Sequence, residues 1–235
     1  MDALDNIIGR IRRGLNNAAQ PAASHTVVQT TPSAAVAPGA DELRARFIAA
    51  FSAVGGKPVE AADESAAIDQ LAELMRTAGV RSAAIGEGIT TDSNFAAARL
   101  SREGYNIIGV AAAREPDGGV KQSLSTVDAG IVEADYAIAP AGTLVLIGQP
   151  ARPRSLSLLP PVNIVLLRTG RILPDLAAVL RAAGPQTMAA HPMVMVTGPS
   201  RTADIEKRIV IGVHGPRELY VVLIADGSPR AAVRS

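Results

Sequence analysis

The sequence predicts an α/β domain, a three-layer α/β/α arrangement around a mixed but mainly parallel sheet. Three observations lead there. Leu144 to Ile147, Asn163 to Leu167, Met193 to Val196 and Leu219 to Ile224 are near-continuous apolar runs of strand length. Runs without alternation belong to strands buried on both faces, in a sheet that helices cover. Segments with apolar residues at helical spacing alternate with strand-like runs, which is the pattern of an α/β domain. The composition fits such a domain. It is 48% hydrophobic but only 3% aromatic, so the core is built from Ala, Val, Leu and Ile.

Residues 1–15 place Leu4, Ile7, Ile8, Ile11 and Leu15 on one stripe of a short amphipathic helix. Residues 16–40 are rich in Ala, Thr, Ser and Pro without periodicity, as a flexible linker is. A short striped helix ahead of a linker cannot bury itself locally. It docks on its own domain, on a second copy, or on a partner.

The α/β domain is expected over 41–235. Asp41 can cap a helix through Leu43, Phe47, Ile48 and Phe51, ended by Gly55-Gly56. Asp63-Glu64-Ser65 opens a second helix, with Ile68, Leu71, Leu74 and Met75 apolar, ended by Gly79. Val80 to Ile85 reads as a strand that stops at Gly86, Phe95 to Glu103 as a helix, and Tyr105 to Val110 as a strand. Ser125 to Ala129 reads as a helix N-terminus, followed by the strand-like run Ile131 to Ile138. Ile172 to Ala183 and Thr202 to Ile211 are expected to be helices.

Several function classes fall away. A net charge of +1 and few aromatics argue against nucleic acid and anionic membrane surfaces. The absence of cysteine removes disulfides, thiolate nucleophiles and Cys-ligated iron–sulfur clusters from this chain. His25, His191 and His214 lack zinc spacing. Gly86-Glu87-Gly88 begins a dinucleotide fingerprint without completing it, and no Walker lysine motif or nucleophile elbow occurs. No metal or cofactor is expected on the chain itself. The first residues put acids ahead of any apolar stretch, with Arg10, Arg12 and Arg13 close behind, the reverse of a signal peptide. No apolar run approaches the roughly 18 residues of a spanning helix. The cytoplasm is the expected compartment.

Ligands of open parallel sheets bind at the carboxyl ends of strands, which directs attention to four loops. Ala139 to Thr143 offers Gly142 and Thr143, whose amides could cradle an anion; the plain alternative is a crossover turn. Gln149 to Leu156 carries Arg152 and Arg154 among prolines; arginine suits carboxylate or phosphate, and the plain alternative is a solvated loop. Thr197 to Glu206 reads as a strand end, a turn and a helix N-terminus, where Ser200, Arg201 and Thr202 could bind an anion. The alternative is an N-capping sequence, with Asp204 and Glu206 complementing the helix dipole. It leaves unexplained an arginine at the positive end of a helix. Gly212 to Glu218 sets His214 between glycines as an acid/base or orienting group; the plain alternative is a histidine that only donates a hydrogen bond in the turn. The candidate anion site is therefore Gly142, Thr143, Arg154, Ser200, Arg201 and Thr202. Glu133, Asp204, Glu206 and His214 are candidate acid/base or orienting groups.

Gly142-Thr143-Leu144-Val145-Leu146, Pro153-Arg154-Ser155-Leu156-Ser157-Leu158-Leu159-Pro160, and Gly198 to Glu206 running on into Gly212-Val213-His214-Gly215-Pro216 together resemble the LUD domain family of lactate-utilisation protein C. The resemblance spans roughly Asp41 to Ala225. It implies a fold like that of the NagB, RpiA and CoA-transferase group, and a role in oxidising L-lactate to pyruvate in bacteria beside iron–sulfur partner proteins that carry the clusters. One departure stands out. The acidic residue and Thr or Ser usual before the Gly-Thr pair are Pro140 and Ala141 here. Two alternatives stay open: an independent isomerase or CoA-transferase-like enzyme acting on a small phosphorylated or carboxylated substrate, and a carboxylate-sensing regulatory protein.

Overall fold

The structure is a computed structural model. It describes residues 38–88, 91–110, 119–203, 209–211 and 215–226. The expected N-terminal helix (1–15) and most of the linker (16–40) lie outside them. In chain order the elements are α1 (Ala40–Ala53), β1 (Lys57–Ala61), α2 (Glu64–Thr77), β2 (Ser82–Ile85), α3 (Ser93–Arg102), β3 (Asn106–Gly109), α4 (Gly119–Thr126), β4 (Ala129–Glu133), β5 (Tyr136–Ile138) and β6 (Thr143–Ile147). After these come β7 (Val162–Arg168), β8 (Ile172–Leu173), α5 (Leu176–Ala183), α6 (Pro185–Ala190), β9 (Met193–Val196), β10 (Arg201–Ala203), β11 (Ile209–Ile211) and β12 (Glu218–Ile224).

The main sheet has six strands in the order β1-β12-β7-β4-β2-β3, and every pair in it is parallel. Period-two alternation divides its side chains between two cores. Ala83, Ile85, Ile131, Ile164, Leu166, Tyr220 and Val222 pack with Ile68, Leu71 and Met75 of α2 and Ala96 and Leu100 of α3. On the other face, Ala84, Val132, Val165, Leu167, Val221 and Leu223 pack with Leu43, Phe47 and Phe51 of α1 and Leu124 of α4. Burying each large apolar side chain stabilises by about 1.5–3 kcal/mol. The sheet is thus sandwiched, as its apolar runs predict.

A second sheet, β8-β5-β6-β9, joins this second layer. Ala137, Leu144 and Leu146 face the core shared with α1. Ile138 and Val145 face outward, onto Val179 of α5. Two of the predicted strands, Leu144 to Ile147 and Met193 to Val196, therefore pair antiparallel here rather than in the main sheet.

Four boundaries differ from the sequence expectation. The run 131–138 is two strands, because Asp135 turns the chain out of the main sheet: its Oδ2 accepts from the Ile147 amide at 2.7 Å, and its own amide donates to the Val145 carbonyl. Ser125 lies near the end of α4, not at a helix start. The helix expected from Ile172 begins only at Leu176, where Asp175 caps it by accepting from the Ala178 amide at 2.6 Å. The helix expected over Thr202 to Ile211 does not begin or end as predicted: Arg201–Ala203 and Ile209–Ile211 are strands that pair antiparallel. The β-branched residues Thr202, Ile209, Val210 and Ile211 suit that strand pairing.

Candidate functional site

After β2 the chain moves outward to β3, then crosses back to place β4 on the other side of β2, and continues to β7 and β12. The β2–β4 boundary is therefore the topological switch point, where loops leave the carboxyl ends in opposite directions and open a crevice. A small apolar-walled space lies there, lined by Ile85 and Gly86 at the end of β2, Gly88, Thr91 and Ser93 before and in α3, Ile131 to Glu133 at the end of β4, and Leu166 of β7.

Glu133 is 4% exposed, as the last residue of β4. Its Oε2 accepts from the Thr91 amide at 3.1 Å. Thr91 is itself buried, and its Oγ1 has no hydrogen-bond partner in the structure. The Gly86-Glu87-Gly88 segment supplies the close approach. A side chain at Gly88 would bring its Cβ within 2.1 Å of the Thr91 carbonyl oxygen and 3.0 Å of Glu133 Oε2. The broken dinucleotide fingerprint thus follows a strand and precedes a helix, but an acid occupies the helix start. Asp92 caps α3 by accepting from the Asn94 and Phe95 amides. A phosphate there would meet Asp92 and Glu133 rather than free amides. Beside this space, Glu64 at the start of α2 accepts from the Asp92 amide and pairs with Arg168 at the end of β7, at 3.2 Å.

Of the residues singled out from sequence, Gly142, Thr143 and Arg201 gather elsewhere, at the C-terminal end of α1. Gly142 has φ +58°, and a Cβ on it would meet the Phe51 amide nitrogen at 2.4 Å. Its role is to let the turn touch helix backbone. Thr143 Oγ1 hydrogen-bonds Thr197 Oγ1 at 2.7 Å. Arg201 Nη2 donates to the Val54 carbonyl at 2.7 Å. The expected helix N-terminus after Ser200 is absent. Arg201 instead sits at the carbonyl end of α1, where a cation is favourable. Its charge thus has a physical account without a bound anion. The Ser200 amide donates to the Pro216 carbonyl, and Thr202 stands in β10. Asp204, Glu206 and His214 lie outside the described residues.

The arginine loop divides in two. Arg152 is buried and pairs with Asp135 at 3.2 Å, while donating to the Glu133 carbonyl at 3.0 Å. It pins the point where the chain leaves the main sheet, next to the switch-point space. Arg154 is exposed and lines an open cleft of about 330 Å³ with Gly148, Gln149, Pro150, Pro153, His191 and Pro192. Arg154 shares the lining of that cleft with His191 and Gln149, residue types that suit a small anion. Sequence reasoning missed Thr91, Arg168 and His191 as site residues. The only signal for Thr91 was its place just after the Gly-x-Gly turn. Among the described residues, no group of three or more His, Cys, Asp or Glu side chains could hold a metal ion, and no helix is long and apolar enough to cross a membrane.

Residues 44–224 match the family model described as the LUD domain. The chain belongs to the LUD domain family. The uncharacterized protein YkgG of Escherichia coli K12 is 39% identical over 101 residues, 41% of this chain and 44% of that protein. Lactate utilization protein C of Halalkalibacterium halodurans is 38% identical over 102 residues, 41% of this chain and 44% of that protein. An uncharacterized protein of Neisseria meningitidis serogroup B is 34% identical over 131 residues, 54% of this chain and 55% of that protein. The matches thus span about half the length of these curated relatives. A crystal structure of a DUF162 family protein from Deinococcus radiodurans has the same fold, with a TM-score of 0.61 at 20% identity over 80% of this chain and 99% of that one. For this LUD domain, the parallel main sheet and flanking helices are therefore a shared architecture.

Proposed function

We propose that this LUD domain protein serves bacterial lactate utilisation, the oxidation of L-lactate to pyruvate, as a component that acts with iron–sulfur partner proteins and binds a small anion. The observation that carries the proposal is the family match over residues 44–224, together with relatives named lactate utilization protein C. Oxidising lactate releases electrons that need an acceptor. The chain has no cysteine, so Cys-ligated clusters belong to the partners. The anion is assigned to the Arg154 cleft, whose lining includes Arg154 and His191.

The test is purification of the tagged full-length protein from its native cell, grown on lactate and handled without oxygen. The proposal expects co-purifying proteins that carry iron and acid-labile sulfide in stoichiometric amounts. A chain that emerges alone from such cells contradicts it.

A further inference from the structure

We infer that the Arg154 cleft takes up a small carboxylate together with a proton on His191, so that the anion is held more tightly as pH falls. The inference rests on the reading above that places an anion in this cleft, and adds the regulation of that site.

Four observations carry it. The cleft, of about 330 Å³, is lined by Arg154, His191, Gln149, three prolines and a glycine, with no Asp or Glu among the described lining residues. Arginine stays charged at every working pH, whereas histidine is the side chain whose charge ordinarily changes between about pH 5 and 8. The lining thus joins one permanent cation to one that a proton switches on. Second, among the described residues neither Arg154 nor His191 forms an ion pair. Arg152, two residues before Arg154, is already neutralised by Asp135. Third, the elements around His191 bring no acid to it. It follows α6 and precedes β9, and neither helix nor strand carries a charged side chain. The strand β6, paired to β9, carries none either. In the facing loop, residues 148–154, the charged side chains are Arg154 and the paired Arg152.

Fourth, backbone hydrogen bonds fix the walls. The Gly148 amide donates to the Pro192 carbonyl at 2.8 Å, and the His191 amide donates to the Thr187 carbonyl at 2.9 Å. Gln149 and Arg152 exchange backbone hydrogen bonds at 3.1 and 2.9 Å. A Cβ on Gly148 would meet Pro192 Cγ at 3.1 Å and Arg154 Cγ at 3.4 Å, so glycine lets the two sides approach. Walls held in place lower the ordering cost of binding.

These features select the chemistry. A carboxylate accepts charge-assisted hydrogen bonds from Arg154 at any pH. Neutral imidazole offers it one uncharged donor, and imidazolium offers two donors and a charge. Proton and carboxylate therefore favour each other's binding, and by the same factor in both directions.

The test uses the full chain with L-lactate as probe, which stays ionised across the range, in phosphate-free buffers of constant ionic strength. Ligand-observed NMR reads affinity, and the histidine ring signals, assigned through His191→Gln, read protonation. L-lactate is expected to bind about fivefold to tenfold more tightly near pH 5.5 than near pH 8, the difference between a neutral and a charge-assisted hydrogen bond. Saturating L-lactate should move the titration of the His191 ring to higher pH. His191→Gln should hold one affinity across the range, and Arg154→Gln should lose binding at both ends, each with its melting curve and circular dichroism preserved. Binding that does not change with pH, a pH dependence that survives His191→Gln, or a His191 ring that titrates alike with and without L-lactate would overturn the inference while the anion keeps its place in the cleft. Absence of binding at every pH, or binding that survives Arg154→Gln, would overturn the placement of the anion and this inference with it.

Discussion

Arg152 and Arg154 are two residues apart in a loop that reads, by composition, as a single anion-binding segment, yet the fold gives them opposite fates. Arg152 is enclosed, with its guanidinium on both Asp135 oxygens and the Glu133 carbonyl; Arg154 faces open space beside His191. Nothing in the local sequence separates them, because the difference is made by Asp135, a residue seventeen positions away. The same holds for Arg201. Its charge seemed misplaced at the start of a helix, and becomes intelligible once β10 replaces that helix and the carbonyl end of α1 arrives from far earlier in the chain. Glu133, a candidate acid/base or orienting group in the sequence, is buried as the last residue of β4, with its Oε2 accepting from the Thr91 amide. Removing one member of a buried ion pair leaves the other charged and unpaired, at a cost of about 3–5 kcal/mol. Arg152→Met is therefore expected to lower unfolding free energy by that order in urea. The double variant Arg152→Met with Asp135→Leu should be less destabilised than the single one. A single variant within about 0.5 kcal/mol of the parent would show that the pair does not hold the β4–β5 break.

At the scale of elements, the strands and the first helices were legible because their apolar patterns are local. Asp63 and Gly79 bound α2 where the sequence puts them. The hairpin β10–β11 and the short β8 were not legible, since two- and three-residue strands carry too few side chains to show a period. Gly142 was read as an amide donor, whereas its αL conformation and contact with Ala50 and Phe51 serve the docking of α1. One link between elements is testable by pH. Asp128, between α4 and β4, accepts from the amides of Arg81 and Ser82 and from the Ser82 hydroxyl, each at 2.9 Å, and so joins the starts of β2 and β4. Burial pushes its carboxyl pKa up, but the hydrogen bonds from Arg81 and Ser82 together outweigh burial and hold it below the ordinary carboxylate range. A folded-state pKa below the unfolded value means the carboxylate stabilises the fold above about pH 4, and that this contribution is lost as pH falls through the folded pKa. Asp128→Asn is expected to melt earlier than the parent at pH 7 and to converge with it once pH falls below the lowered pKa of Asp128. A melting difference that stays constant across that range would assign the loss to packing rather than to charge.

For the whole molecule, the α/β class was legible because the non-alternating apolar runs of β6, β7 and β12 belong to strands buried on both faces, although the fourth such run, β9, leaves Met195 exposed. The division into a six-stranded parallel sheet and a smaller second sheet was not, since it depends on Asp135 and Arg152 turning the chain between β4 and β5. The site was legible in part. The rule that ligands gather at carboxyl ends of strands directs attention to the loops there, but strand order decides which of them meet, and that order is not written in any local pattern. Thus Gly88, Thr91 and Glu133, some forty residues apart, converge at the switch point, while the Gly142 and Ser200 turns serve the packing of α1 and of the β12 approach. The central claim is that this protein works in lactate utilisation. Its most direct test is deletion of the encoding gene in the native bacterium, followed by growth on L-lactate as sole carbon source. The account predicts loss of growth on L-lactate, normal growth on pyruvate, and recovery when the gene is restored. Unimpaired growth of the deletion strain on L-lactate would contradict it.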